Sequence, residues 1–124
     1  MSSESYRHLD IMVVDDSEMD NLLNKIILEK VQFSQHIHVY QDPEMAISDL
    51  QNQVCKPEII FIDINMPQMS GFEFIEAVEK LEIPKFKPKF YIISSSDDQD
   101  DIIKAQKYKS VHRYIKKPLD PSDL

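Results

Sequence analysis

Cys55 is the only cysteine in the chain. An internal disulfide is therefore impossible, which agrees with a reducing compartment and sets the expectation of a cytoplasmic protein. No apolar run approaches the ~20 residues that a bilayer crossing needs, so no membrane role is expected. Residues 1–7 carry no apolar core of the kind that marks export, and they read as a flexible N-terminal tail. Positive charge is in deficit: 14 Lys and Arg face 22 Asp and Glu, a net charge of −8. That balance argues against duplex DNA, and against direct nucleic-acid binding by this domain. Glycine occurs once, at Gly71, and there is no repeat and no low-complexity tract.

The 124 residues, 42% hydrophobic and 29% charged, suffice for one folded domain with a core, read here as residues 8–124. Charge is unevenly spread. Residues 1–82 hold 5 Lys/Arg against 16 Asp/Glu (−11), and residues 83–124 hold 9 against 6 (+3). Lys104, Lys107 and Lys109 fit either a solvated helix face or a surface for a protein partner.

Short apolar runs alternate with helical patterns. Residues 9–14 read as a buried strand. Ser17 caps a helix whose first turn holds Glu18 and Asp20, where the helix dipole favours acids. Met19, Leu22, Leu23, Ile26 and Ile27 follow at helical spacing, which predicts their burial on one face of a helix ending near Lys30. A second strand is expected over 36–40. Asp42-Pro43-Glu44 then starts a second helix that ends by about Asn52. The third strand covers 58–62, and a third helix faces Phe72, Ile75 and Val78 inward. The fourth strand covers 90–93. Asp97 or Asp98 caps a fourth helix holding Ile102, Ile103 and Ala105, and the fifth strand covers 114–116. A β-α rhythm of this kind means parallel strands with right-handed crossovers and helices on both faces.

Polar residues mark one edge of that sheet. Asp15 and Asp16 close Ile11-Met12-Val13-Val14, Asp63 closes Ile59-Ile60-Phe61-Ile62, and Lys117-Pro118 follows Tyr114-Ile115-Lys116. In open parallel sheets the ligand crevice lies beyond the C-terminal strand ends. Carboxylates gathered there repel by roughly 1–4 kcal/mol per pair at about 4 Å, and a hard dication relieves the conflict. Oxygen donors without Cys or His suit Mg2+ rather than zinc. His36 and His38 lie on a strand away from this edge and read as surface residues. Asp63 is the best placed nucleophile toward a phosphoryl group, with the cation and Lys117 balancing charge on the phosphoryl oxygens. Ser94, at the end of the fourth strand, offers a hydroxyl to the same group.

These residues resemble the receiver domain of two-component response regulators, of the chemotaxis-receiver type, over residues 8–124. The likeness rests on Asp15-Asp16, on Asp63-Ile64-Asn65-Met66-Pro67 with Gly71, on Ile92-Ile93-Ser94-Ser95, and on Tyr114-Ile115-Lys116-Lys117-Pro118, in order. It implies a flavodoxin-like, doubly wound sheet of five parallel strands in the order 2-1-3-4-5. It implies that Asp63 accepts phosphate from a histidine kinase or a phosphotransfer protein. Asp15, Asp16, Asp63 and the Asn65 carbonyl would hold Mg2+, Lys117 would pair with the phosphoryl group, and Asn65 and Ser96 would tune hydrolysis. Ser94 and Tyr114 would form the switch: Ser94 moves toward the phosphoryl group, Tyr114 turns into the vacated space, and the face of the fourth helix and fifth strand changes for a downstream target. Pro118 would follow a cis peptide. The protein would then be a signalling switch rather than an enzyme, catalysing only its own phosphotransfer and hydrolysis.

Two departures stand out. Residues 109–113 lack the small Ala and Gly residues usual before the fifth strand. The family's fifth helix reads as truncated or absent, through a trimmed end, a disordered end, or replacement by a partner or by a second copy in a homodimer, which predicts an uncovered apolar face over part of the first strand. Two competing readings use the same fold differently. One is a pseudo-receiver, an interaction module that is never phosphorylated. The other is a Mg2+-dependent phosphatase resembling haloacid dehalogenases, whose Asp-x-Asp opening and cap domain this chain lacks.

Overall fold

The computed structural model describes residues 9–31, 36–96 and 98–124. Five strands, β1 (Asp10–Val14), β2 (His36–Tyr40), β3 (Ile59–Ile62), β4 (Lys89–Ser94) and β5 (Val111–Lys116), form one parallel sheet in the order 2-1-3-4-5. The helices α1 (Glu18–Lys30), α2 (Pro43–Gln51), α3 (Gly71–Glu79) and α4 (Gln99–Gln106) alternate with them. This is the expected doubly wound α/β architecture.

The central strands are apolar over residues 11–14, 59–62 and 90–93 because both sheet faces are covered there. Side chains alternate across a strand. Met12, Val14, Ile60, Ile62, Phe90 and Ile92 therefore join one core with α2 and α3, while Ile11, Val13, Ile59, Phe61, Tyr91 and Ile93 join the other with α1. Side-chain caps fix the helix starts. Asp42 accepts from the Glu44 N–H, and Pro43 follows it. Ser70 and Glu73 form a reciprocal capping box on α3. Asp98 caps α4, and the alternative cap Asp97 lies outside the described residues.

Helix α1 departs from its hydrophobic spacing. Met19, Leu22, Leu23 and Ile26 are 46–63% exposed, and the buried positions are Asn21, Asn24 and Leu28. The reason is polar. Asn21 Nδ2 donates to the carbonyls of Asp15 (2.7 Å) and Tyr40 (3.1 Å), just past β1 and at the end of β2. Buried carbonyls at strand ends need a donor, and an amide supplies one where leucine has none. Leu28, with Ile27 and Val31, makes the apolar contact instead. Leu28→Ala is therefore expected to cost about 2–5 kcal/mol, and Leu22→Ala to stay within about 0.5 kcal/mol. Urea unfolding of the two variants checks this, and equal losses would contradict the observed helix face.

Three further expectations change. Strand β5 begins at Val111 rather than Tyr114, because β-branched Val111 pairs with Phe90; the register then slips by one residue, and His112 stacks on Tyr91 at 5.2 Å. Ile103 is exposed, and Ala105 makes the buried contact of α4. The face expected to lie uncovered is closed: Ile11, Val13, Phe61, Tyr91 and Ile93 are all buried. Leu119 and Leu124, on either side of the 3-10 turn Pro121–Asp123, pack onto it beside Ile27 and Val31. Asp120 stabilises that turn by accepting from Ser122 N (2.9 Å), and Asp123 accepts from Asp120 N (3.0 Å).

Candidate functional site

The strand ends deliver the acids. Asp15 and Asp63 each follow the last residue of a buried strand, and both are almost fully buried, while Asp16 is half-buried. Neighbouring backbone holds them: Asp15 N donates to the Tyr40 carbonyl and Asp63 N to the Val14 carbonyl, both at 3.1 Å. The chain beyond Asp63 is pinned by Gly71, whose N–H donates to the Ile64 carbonyl at 2.8 Å. Asn65 lies exposed in that loop, and its N–H reaches Asp63 Oδ1 at 3.4 Å.

Lys117, just past β5, completes the group. Its peptide bond to Pro118 is cis, as expected. Its N–H donates to the Ser94 carbonyl at 2.7 Å. Its ammonium stands 2.7 Å from Asp20 Oδ2, 2.9 Å from Asp15 Oδ2 and 3.6 Å from Asp63 Oδ2. Asp20 was legible only as a first-turn acid. Its pairing with a lysine 97 residues away has no signature in the sequence.

Burial and like charge set the ionisation. Burial, then the neighbouring Asp15, push Asp63 up to about 6, against the pull of Lys117 and the Asn65 N–H. Burial also raises Asp15, opposed by the Ser17 N–H and Lys117. Burial pulls the Lys117 ammonium down, but Asp20, Asp15 and Asp63 outweigh it, so Lys117 stays charged throughout the ordinary pH range.

The donor set fits a hard dication. One carboxylate oxygen from each of Asp15, Asp16 and Asp63 lies within 4.8 Å of the others. Asp15 Oδ1 accepts from Ser17 N at 2.9 Å, and the buried Oδ2 is ion-paired with Lys117 at the same distance. An oxygen-only cluster with one ammonium for four carboxylates calls for further positive charge.

Ser94 ends β4 beside Lys117, and Tyr114 lies on β5. Ser94 is fully buried, and its Oγ accepts from Ser96 N at 3.0 Å. Tyr114, half-buried against the core of α2 and α3, donates its hydroxyl to the Ser96 carbonyl at 2.8 Å. The Ser96 hydroxyl donates to Asp101 at 2.9 Å and accepts from Asp98 N at 3.2 Å, so it ties the loop to the start of α4. Ser96 thus connects the Ser94 hydroxyl, the Tyr114 ring and α4 through consecutive hydrogen bonds.

Known proteins resemble this chain in sequence and fold. The sequence profile of the response regulator receiver domain matches residues 11–124. Response regulator Rcp1 of Synechocystis is 26% identical, with 100% of this chain and 86% of that protein aligned. A protein-glutamate methylesterase/protein-glutamine glutaminase of Burkholderia thailandensis is 30% identical over 80 residues, which make up 64% of this chain and 22% of the methylesterase. The crystal structure of a two-component response regulator from Cytophaga hutchinsonii has a TM-score of 0.83 at 32% identity, with 94% of this chain and 91% of that one covered. Among the described residues no helix is long and apolar enough to cross a membrane.

Proposed function

The chain belongs to the response regulator receiver family, and from that premise we propose that it is a signalling switch phosphorylated on Asp63 by a histidine kinase or phosphotransfer protein. The observation that carries the proposal is the placing of Lys117 Nζ 3.6 Å from a buried Asp63 carboxylate, beside two further strand-end acids.

An Asp63 oxygen attacks phosphorus on the donor. The new O–P bond forms as the donor's N–P bond breaks, and the donor imidazole keeps the electron pair. Asp63 must be ionised to attack, and Lys117 keeps it so by lowering the cost of its charge. Asp15, Asp16 and Asp63, with the Asn65 carbonyl, would hold Mg2+, which supplies charge to the phosphoryl oxygens. Lys117 meets one of those oxygens directly. Asn65 and Ser96 flank the acyl phosphate and govern water access to it.

The product adds about 1.5–2 negative charges at the strand edge. Ser94 is drawn toward it, which loosens its bond from Ser96 N. The same Ser96 carries Tyr114 through its carbonyl and α4 through its hydroxyl, so the outer face of α4 and β5, where Ile103 stands exposed, changes together. A downstream protein that binds one state better shifts the population by its differential affinity.

Acetyl phosphate with Mg2+ tests this without a protein donor. Intact mass spectrometry is expected to show one added phosphoryl group, lost when a chelator removes the cation. Asp16→Ala is expected to raise the Mg2+ concentration for half-maximal labelling by about tenfold or more, since even a residue that only supports a metal ligand costs that much when lost. Absence of labelling in the unaltered chain would favour the pseudo-receiver reading.

A further inference from the structure

Asp20 occupies the third position of α1, where an acid ordinarily turns back to the N–H of the capping residue. Two other helical starts in this chain behave that way: Glu73 accepts from Ser70 N and Asp123 from Asp120 N, both at 3.0 Å. In α1 the corresponding N–H, that of Ser17, is already taken by Asp15 Oδ1 at 2.9 Å. Asp20 is thereby released from capping. Its backbone stays fixed by Ser17 Oγ, which accepts from Asp20 N at 3.2 Å. Its carboxylate accepts from Lys117 Nζ at 2.7 Å, the shortest of the three contacts that ammonium makes with carboxylates.

The other two partners of Lys117, Asp15 and Asp63, both belong to the oxygen cluster suited to a cation, and Asp20 does not. Charge taken up by Asp15 and Asp63 weakens their hold on the lysine. Asp20 is the partner that remains. Lysine carries a flexible four-carbon stem and does not hold one position unaided. Without Asp20 it would close on Asp63, filling the space that a phosphoryl group needs, or swing toward solvent.

We propose that Asp20 is a positioning residue: it holds the Lys117 ammonium set back from Asp63, at the separation where an oxygen attached to Asp63 through phosphorus is met without movement of the lysine. The inference rests on Asp63 being the phosphoryl acceptor. An ordinary surface ion pair would contribute little. Here the lysine side chain is only 19% exposed and its ammonium is shared among three acids, so its direction matters more than the pair's strength.

Beryllofluoride with Mg2+, a mimic of the acyl phosphate, provides the test on the full chain, followed by amide NMR shifts. Asp20→Ala is expected to raise the half-saturating concentration by roughly five- to tenfold, the scale of one lost charge-assisted hydrogen bond. Asp20→Asn keeps an oxygen acceptor and is expected to stay within about twofold of the unaltered chain. In a Lys117→Met background Asp20→Ala is expected to change nothing further. Should Asp20→Ala fail to fold, Asp20→Ser takes its place with the same expectation. Unchanged or tighter binding by Asp20→Ala overturns the proposal, as does an equal loss without the lysine or the absence of rescue by asparagine. Failure of the unaltered chain to saturate is a different result: it removes the phosphoryl site itself.

Discussion

Replacing Gly71 by alanine is expected to lower the stability of the fold by about 2–4 kcal/mol and to slow phosphoryl acceptance with it. The backbone at Gly71 is not left-handed, so the requirement is for space rather than conformational freedom. A Cβ there would lie 2.5 Å from the Asp63 carbonyl oxygen, 2.9 Å from Ile64 Cα and 3.1 Å from the Asp63 carbonyl carbon. All three atoms are backbone, so no side chain can yield. Alanine is the better helix former by up to about 1 kcal/mol. That gain is smaller than the cost of moving α3 away from the peptide it is bonded to, or of moving Asp63 itself. Urea unfolding together with acetyl phosphate labelling measures both effects. An unchanged midpoint with unchanged labelling would show that the close approach at Asp63 places no demand on the chain.

Asp63→Asn is expected to abolish labelling and, in the absence of metal, to stabilise the protein by about 1–3 kcal/mol near neutral pH. The sign follows from the raised carboxyl. Asp63 ionises at about 6 in the folded chain, against an ordinary value of 3.8. Its ionisation therefore opposes folding. The opposition is absent below about 4, grows as pH rises toward 6, and is complete above that. Asparagine has no such charge to bury, so its advantage should be full at pH 7.5 and nearly gone at pH 4. Loss of the 3.6 Å pairing with Lys117 offsets part of the gain. Saturating Mg2+ should narrow the difference by binding the folded aspartate form. Urea midpoints in chelator at several pH values test this, and a gain independent of pH, or a loss, would contradict the burial argument.

The acidic edge was legible because the buried strands β1 and β3 each stop at an acid. Apolar runs ending at Val14 and Ile62 placed Asp15 and Asp63 at the same rim once the strands were parallel. Lys117 followed from its position after β5. Asp20 was not legible, since an acid in a first turn already has a sufficient cause in the helix dipole. The inward face of α1 failed for a related reason: periodicity registers apolar area, whereas Asn21 is held inside by two carbonyls at the ends of β1 and β2. Likewise, the closing of the sheet face by Leu119 and Leu124 depends on a chain reversal capped by Asp120, which a search for a full helix overlooks. Polar pairing decided all three, across 97 residues at Asp20 and within three at Asp120.

Borohydride reduction after acetyl phosphate treatment is the most direct measurement of where the phosphoryl group resides. The reagent breaks the acyl–oxygen bond of an aspartyl phosphate and leaves homoserine, which peptide mass spectrometry locates. Homoserine is expected at position 63 alone, in a Mg2+-dependent manner, and nowhere in Asp63→Asn. Homoserine at Asp15 or Asp16, or phosphate retained on a serine with no homoserine at all, would contradict the assignment of Asp63 as the acceptor.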